Sequence, residues 1–204
     1  MLKAIHINCT APFRHRNPGL PYEVTDLDLL TTIMSALMWR KLNGTIKLYA
    51  DTMAYQYYER QGLLDLWDEI DTAVLEAMPA DINPDIFWAA GKLVALHHEP
   101  APVMMMDTDL IVWQPLEQEV EGTALVGFHR EETYGIYPDK EDLKLPPYYA
   151  FHPRWDWEVL PVNTALAWFG DETFKQYYTS CAIHFMRDNQ ELPMERVSQM
   201  VTAE

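Results

Sequence analysis

The sequence predicts an α/β protein, a sheet flanked by helices with its ligand sites at the carboxyl ends of the strands. Three observations lead there. Short apolar runs of strand length alternate along the chain with segments whose apolar residues recur at helical spacing. One run, Val103–Met106, is apolar throughout, as in a strand buried on both faces. The joints between runs carry cap and turn pairs such as Asn43-Gly44 and Asn83-Pro84.

Taken in order, Ala4 to Asn8 reads as the first strand, followed by a Pro- and Arg-containing loop from Ala11 to Tyr22 that is long enough to be functional. Thr25 is an N-cap for a helix whose apolar face is Leu27, Leu30, Ile33, Met34, Leu37 and Met38, stopped at Asn43-Gly44. Thr45 to Ala50 is a second strand ending at Asp51, and a second helix covers Tyr55 to Gly62. Leu63 to Ile70 has no clear period. Asn83-Pro84 caps a further helix with Ile86, Ala90, Leu93 and His97 on one face and Lys92 off it. Pro100 and Pro102 then precede the Val103–Met106 strand, which ends in Asp107-Thr108-Asp109. Downstream, Ala124 to Phe128 and Thr164 to Phe169 read as strands, separated by a polar, aromatic, Pro-rich stretch from Arg130 to Pro161. A last helix is capped by Asp171 and carries an apolar stripe of Phe174, Tyr177, Tyr178, Cys181, Ala182 and Phe185.

Composition narrows the partners. Over 204 residues, 31 acidic against 15 basic side chains give a formal charge of −16, a surface that repels nucleic acid and anionic membranes. Any phosphate site therefore needs a cation. Cys9 and Cys181 are too few for a disulfide scaffold and read as reduced core thiols. Neither a signal-peptide stretch nor a run of membrane-spanning length is present, so a cytoplasmic, single-domain protein over residues 1–204 is expected.

The Asp107-Thr108-Asp109 turn is where chemistry concentrates. Two carboxylates two residues apart at a strand's carboxyl end project to one side if the chain stays extended through Thr108. They can then share a hard cation, Mn²⁺ or Mg²⁺, completed by phosphate oxygens of a substrate. Such a cation stabilises a departing diphosphate as a Lewis acid. An isolated Asp-x-Asp is equally a solvated turn.

The surrounding phrase, Phe87-Trp88-Ala89-Ala90-Gly91-Lys92-Leu93, then Pro102 to Met106, then Asp107-Thr108-Asp109-Leu110-Ile111-Val112-Trp113 and Pro115-Leu116, resembles bacterial glycosyltransferases of the GT-A fold. More loosely the resemblance runs from the Ile5 strand to the Phe185 helix and takes in Leu160 to Ala165. It implies a mixed, mostly parallel nucleotide-binding sheet flanked by helices, and transfer of a sugar from a nucleotide diphosphate donor, a UDP-sugar first, to a saccharide or other hydroxyl acceptor. It further implies that Asp109 coordinates the metal, that Asp107 contacts the metal or the donor ribose, and that Lys92 pairs with the aspartates or the diphosphate. Thr108, Asn8, Cys9, Thr10 and Asp51 would line the donor pocket, and Asn163 would lie near the acceptor. Relatives often complete the metal site with a later residue, commonly histidine, and no recognisable motif supplies it here: either that ligand is absent or the chain is truncated. His184, within an amphipathic stretch beside Phe185, is assigned to the surface rather than to the metal.

Other residues stay open between function and structure. Lys92 is equally a surface lysine. Trp155, Asp156, Trp157 and Glu158 combine flat rings with carboxylates, the chemistry that holds a sugar's face and hydroxyls, or else one ring packs under the sheet. Arg14, His15 and Arg16 are donor-phosphate candidates or an ordinary turn. His97-His98-Glu99 cannot chelate as an i, i+4 pair would, because neighbouring helical residues diverge by about 100°. Met104 to Met106 is core rather than a copper site. Two other functions fit the same motif: an Asp-based phosphohydrolase, whose nucleophile usually opens the fold rather than following a hundred residues of it, and a noncatalytic nucleotide-sugar or saccharide-binding module.

Overall fold

The computed structural model describes residues 1–131, 145–153 and 155–189. In chain order the elements are β1 (Leu2–Asn8), α1 (Ala11–Arg16), α2 (Asp26–Leu42), β2 (Gly44–Ala50), α3 (Thr52–Arg60), a 3-10 turn at Leu64–Leu66, β3 (Glu69–Asp71), α4 (Ala73–Glu76), α5 (Ala90–His98), β4 (Val103–Met106), α6 (Glu117–Val120), β5 (Leu125–Gly127), β6 (Leu166–Phe169) and α7 (Glu172–Asp188). Among them they build one six-stranded mixed sheet in the order β3-β2-β1-β4-β6-β5. β1 is parallel to β2 and β4, and β2 is parallel to β3; β6 runs antiparallel to β4 and β5. Among the described residues no helix is long and apolar enough to cross a membrane.

The strand period of two explains why both faces are covered. Leu2, Ala4, Ile46, Leu48, Met104 and Met106 fall on one side, against Ala36 and Trp39 of α2 and Ala54, Tyr57 and Tyr58 of α3. Ile5, Tyr49, Val103 and Met105 fall on the other, against Ala95 and Leu96 of α5. α7 packs along α5 on that second side, and Phe185 and Ala182 join Leu93, Ile86 and Phe87 there. Burying a side chain such as Ile5 or Leu48 contributes roughly 2 kcal/mol each.

Several expectations change in detail. The Ala11–Tyr22 loop contains a short helix, α1, favoured by a proline in its first turn, where the missing N–H costs nothing. α3 begins three residues before Tyr55 because the Asp51 side chain caps it. The irregular Leu63–Ile70 segment becomes a 3-10 turn leading into β3. The helix expected from Pro84 starts only at Ala90: Asn83 caps the amide of Asp85, its carbonyl accepts from Ile86 and Phe87, and the chain then advances as turns to Ala89.

Two helices also turn a different face inward from the one their apolar residues suggest. α2 buries Thr32, Ser35, Ala36 and Trp39, while Leu27, Leu30, Met34 and Leu37 are exposed. Its inner side combines three small residues with Trp39, and Thr32, Ser35 and Trp39 each donate a hydrogen bond to a backbone carbonyl. α7 buries Lys175 and Thr179 along with Ala182, Phe185 and Met186, leaving Phe174, Tyr177 and Cys181 exposed. The cause is Lys175, whose Nζ donates to the carbonyls of Leu96, at 3.1 Å, and Glu99 at the end of α5, and pairs with Glu172 at 3.1 Å. Cys181 is therefore not a core thiol, and Cys9 is only partly buried.

Candidate functional site at the end of β1 and β4

From β1 the chain goes outward to β2 and β3, then returns to place β4 on the other flank of β1. In an open sheet of this kind the crevice lies at such a reversal, outside the strand carboxyl ends. A cavity of about 280 Å³ occupies that position. Its walls include Asn8 and Cys9 from the end of β1, Trp88, Gly91 and Lys92 from the start of α5, Thr108 after β4, Tyr58 of α3, and Tyr22, Val24, Asp28 and Thr32.

The first wall is held by α5 approaching β1 closely. A Cβ on Gly91 would stand 2.5 Å from the Cβ of Cys9, so only glycine lets the helix sit there. Burial pushes the Cys9 thiol up to about 11, and its Sγ lies 3.6 Å from the sulfur of Met78. Asn8 is oriented by two phenols: its amide donates to Tyr58 Oη at 2.8 Å and its carbonyl oxygen accepts from Tyr22 Oη at 3.1 Å. Both phenols are pushed above their usual value, first by burial. They serve here as neutral hydroxyls.

The carboxylates of Asp107 and Asp109 stand beside the cavity rather than in its lining, which Thr108 reaches from between them. Asp107 does not continue the strand: its carbonyl accepts from the Leu110 amide at 3.2 Å, closing a turn through Thr108 and Asp109. The extended geometry that would align the two side chains thus ends at Asp107. Asp107 itself is anchored by its amide donating to the Ala165 carbonyl at 2.9 Å, and its Oδ1 lies 2.7 Å from Lys92 Nζ. Burial raises the Asp107 carboxyl above the usual aspartate value, Lys92 opposes this, and the charge of Asp109 adds to it. Asp109 is exposed. Lys92 thus points from α5 towards the aspartates, away from the apolar face of its helix, and reaches the cavity together with Thr108.

The turn is also braced from beneath. Trp67 Nε1 donates to His6 Nδ1 at 3.2 Å, so the other ring nitrogen carries the proton and bonds Ser35 Oγ at 3.1 Å. Ser35 in turn donates to the Leu110 carbonyl at 2.5 Å. His6 is completely buried, and burial lowers it to about 3.

Not every expected residue meets at the cavity. Asp51 is fully buried and taken up by structure: Oδ2 accepts from the amide and hydroxyl of Thr10, both at 2.7 Å, and Oδ1 accepts from Ala54 at 3.0 Å. Neither it nor Thr10 lines the cavity. Of the basic trio, Arg14 lies 3.6 Å from Asp51, while His15 and Arg16 pair with Asp85 at 3.1 and 3.0 Å. Trp155 and Trp157 stack around Phe151, which rests on Phe185 of α7, and Asp156 caps the amide of Glu158. This cluster belongs to the α5–α7 side and contributes nothing to the cavity wall. Asn163 accepts from the Ala165 amide at 2.9 Å and donates to Glu131 at 2.6 Å, which places it one step behind the residue that anchors Asp107. His184 is exposed and pairs with Asp188 at 3.1 Å.

Tyr22, Tyr58, Trp88 and Asp28 are among the wall residues that the sequence reading did not name as site residues. Tyr22 ends the loop and Trp88 lies within the phrase already singled out, whereas Tyr58 sits in a helix with no signal to separate it from Tyr57. Among the described residues no group of three or more His, Cys, Asp or Glu side chains could hold a metal ion. No motif in the sequence supplies the later ligand that relatives often carry, and residues beyond 189 lie outside the described residues.

A family model described as a family of unknown function, DUF6734, matches residues 19–202. No curated protein matches the chain.

Proposed function

The chain belongs to the DUF6734 family of unknown function, and from the cleft we propose that it is a GT-A-like glycosyltransferase using a nucleotide diphosphate sugar. The observation that carries this reading is that Lys92 and Thr108 line one cavity with Asn8, Tyr22, Tyr58 and Trp88, while Lys92 Nζ lies 2.7 Å from Asp107 beside it. Such a lining offers charge for a diphosphate together with flat rings and hydrogen-bonding groups for a nucleoside.

The donor set fits a hard divalent cation. Asp107 and Asp109 against Lys92 leave one net negative charge, and the raised Asp107 carboxyl marks a site where added positive charge is favourable. Mn²⁺ or Mg²⁺ held by these two carboxylates, with phosphate oxygens and water as the remaining ligands, would supply Lewis-acid stabilisation of the leaving diphosphate. Lys92 is placed to share the charge that collects there, and the Ala165 and Leu110 contacts hold the Asp107 turn in place while it does.

The position of the Trp155–Glu158 cluster, packed on Phe151 rather than on the cavity wall, favours a second reading: binding of a nucleotide sugar without transfer. Calorimetry with UDP, with and without Mn²⁺, tests the shared part of both. Metal-dependent binding is expected for the native chain and its loss for an Asp107→Ala, Asp109→Ala variant that stays folded; equal behaviour of the two sinks the assignment. Release of free sugar from UDP-sugars in the presence of Mn²⁺ then separates the enzyme from the binding module. Phosphate release from simple esters with no nucleotide present would instead favour the phosphohydrolase.

A further inference from the structure

The outer side of α2 carries an apolar row that nothing among the described residues covers. Leu27, Leu30, Met34 and Leu37 are 69%, 59%, 38% and 46% exposed, whereas the buried Thr32, Ser35, Ala36 and Trp39 lie on the opposite side of the same helix. At about 100° per residue the four fall within an arc of roughly 80°. Their spacing of three, four and three is that of a seam between two packed helices. Four large apolar side chains in a contiguous row are more than scattered surface hydrophobes.

We infer that α2 is the centre of a two-fold interface between two copies of this chain. The charges around the row select that occupant. Asp26 and Glu23, the latter 3.6 Å from Arg60 of the same chain, stand at its amino-terminal end and exposed Lys41 continues it at the carboxyl end, so the helix row itself is acidic at one end and basic at the other. A two-fold axis midway along the row runs the helices antiparallel, sets Leu27 against Leu37 and Leu30 against Met34, and brings Lys41 of each copy towards Glu23 and Asp26 of the other. The helix dipoles oppose as well. An anionic bilayer, by contrast, meets a chain of formal charge −16 and a row whose entry end is acidic. The inference does not depend on glycosyl transfer.

Sedimentation velocity of the full chain over a concentration series tests it. A monomer–dimer equilibrium is expected, and Leu30→Glu with Met34→Glu should raise the dimer dissociation constant by about a hundredfold or more, since both place unpaired carboxylates in the seam. Circular dichroism melts of that variant should match the native chain, because both positions are solvent-facing within the monomer. Lys41→Glu alone should weaken the dimer and Glu23→Lys added to it should restore it. A monomer at every concentration, or a dimer that the Leu30 and Met34 changes leave intact, overturns the proposal. So does a monomer that pellets with phosphatidylcholine vesicles and loses that affinity in the same variant.

Discussion

Two aspartates end two parallel strands of the same sheet, and the fold treats them in opposite ways. Asp51, after β2, is fully buried and accepts three hydrogen bonds, two from Thr10 and one from the first turn of α3. Asp107, after β4, is anchored through its backbone, while its carboxylate faces Lys92 at the rim of the cavity. One carboxylate is saturated by structure and the other is left in a costly state that a cation would relieve. A strand-end aspartate is thus defined by where its donors come from, and donors satisfied within the fold leave nothing for a ligand.

The sharpest way to break this contrast is to truncate each. Asp51→Ala should lose about 3 kcal/mol in urea unfolding, about 1 from the helix cap and the rest from the Thr10 donors left unpaired in the interior. A loss below about 1 kcal/mol would mean that the buried carboxylate is not structural. Asp107→Asn should leave stability within about 1 kcal/mol, because removing a buried charge offsets the lost pairing with Lys92, yet weaken Mn²⁺-dependent UDP binding at least a hundredfold, about 2.7 kcal/mol. Unfolding of this variant with intact binding would reverse the roles. Gly91→Ala should cost about 1–2 kcal/mol by forcing α5 off Cys9, with partial recovery when Cys9→Gly is added. A neutral Gly91→Ala would mean that the wall is looser than its backbone spacing implies.

A pH-dependent effect concerns the brace under Asp107. His6 is neutral when folded because burial lowers it from 6.5 to about 3. The unfolded chain therefore binds the extra proton first. Stability is fully present above the unfolded value and falls as pH drops from about 6.5 towards about 3, by at most about 1.4 kcal/mol per pH unit. Urea midpoints measured across that range should show this slope in the native chain and a shallower one in His6→Gln; identical slopes would remove His6 as the source.

Much of this architecture was legible in the sequence, for local reasons. Thr25 and Asp171 announced their helices through the caps they form, and Val103–Met106 announced a doubly covered strand by its uninterrupted apolarity. The inward faces of α2 and α7 were not legible, because Ser35 and Lys175 are buried by partners far along the chain, Leu110 for one and Glu99 for the other. Of the residues that the likeness marked, the fold sets Lys92 against Asp107 and places Gly91, Lys92 and Thr108 in one cavity lining, while Asp109 is exposed. Asp51 looked like a donor-pocket residue because the donors that claim it, on Thr10, lie 41 residues away. The Trp155–Trp157 pair looked like a sugar platform, and only the position of Phe151 on α7 shows which surface it covers.

The two thiols differ as sharply as the two aspartates. Cys9 is wedged against Gly91 with its proton held to about 11, whereas Cys181 is exposed on the outer side of α7. A maleimide dye offered to the native protein near neutral pH should therefore settle on Cys181, because the reactive thiolate scarcely forms at Cys9. The molecule thus carries its own attachment point, on a helix that does not line the cavity, from which the proposed self-association and nucleotide binding can both be tested by fluorescence without altering any residue of the cavity.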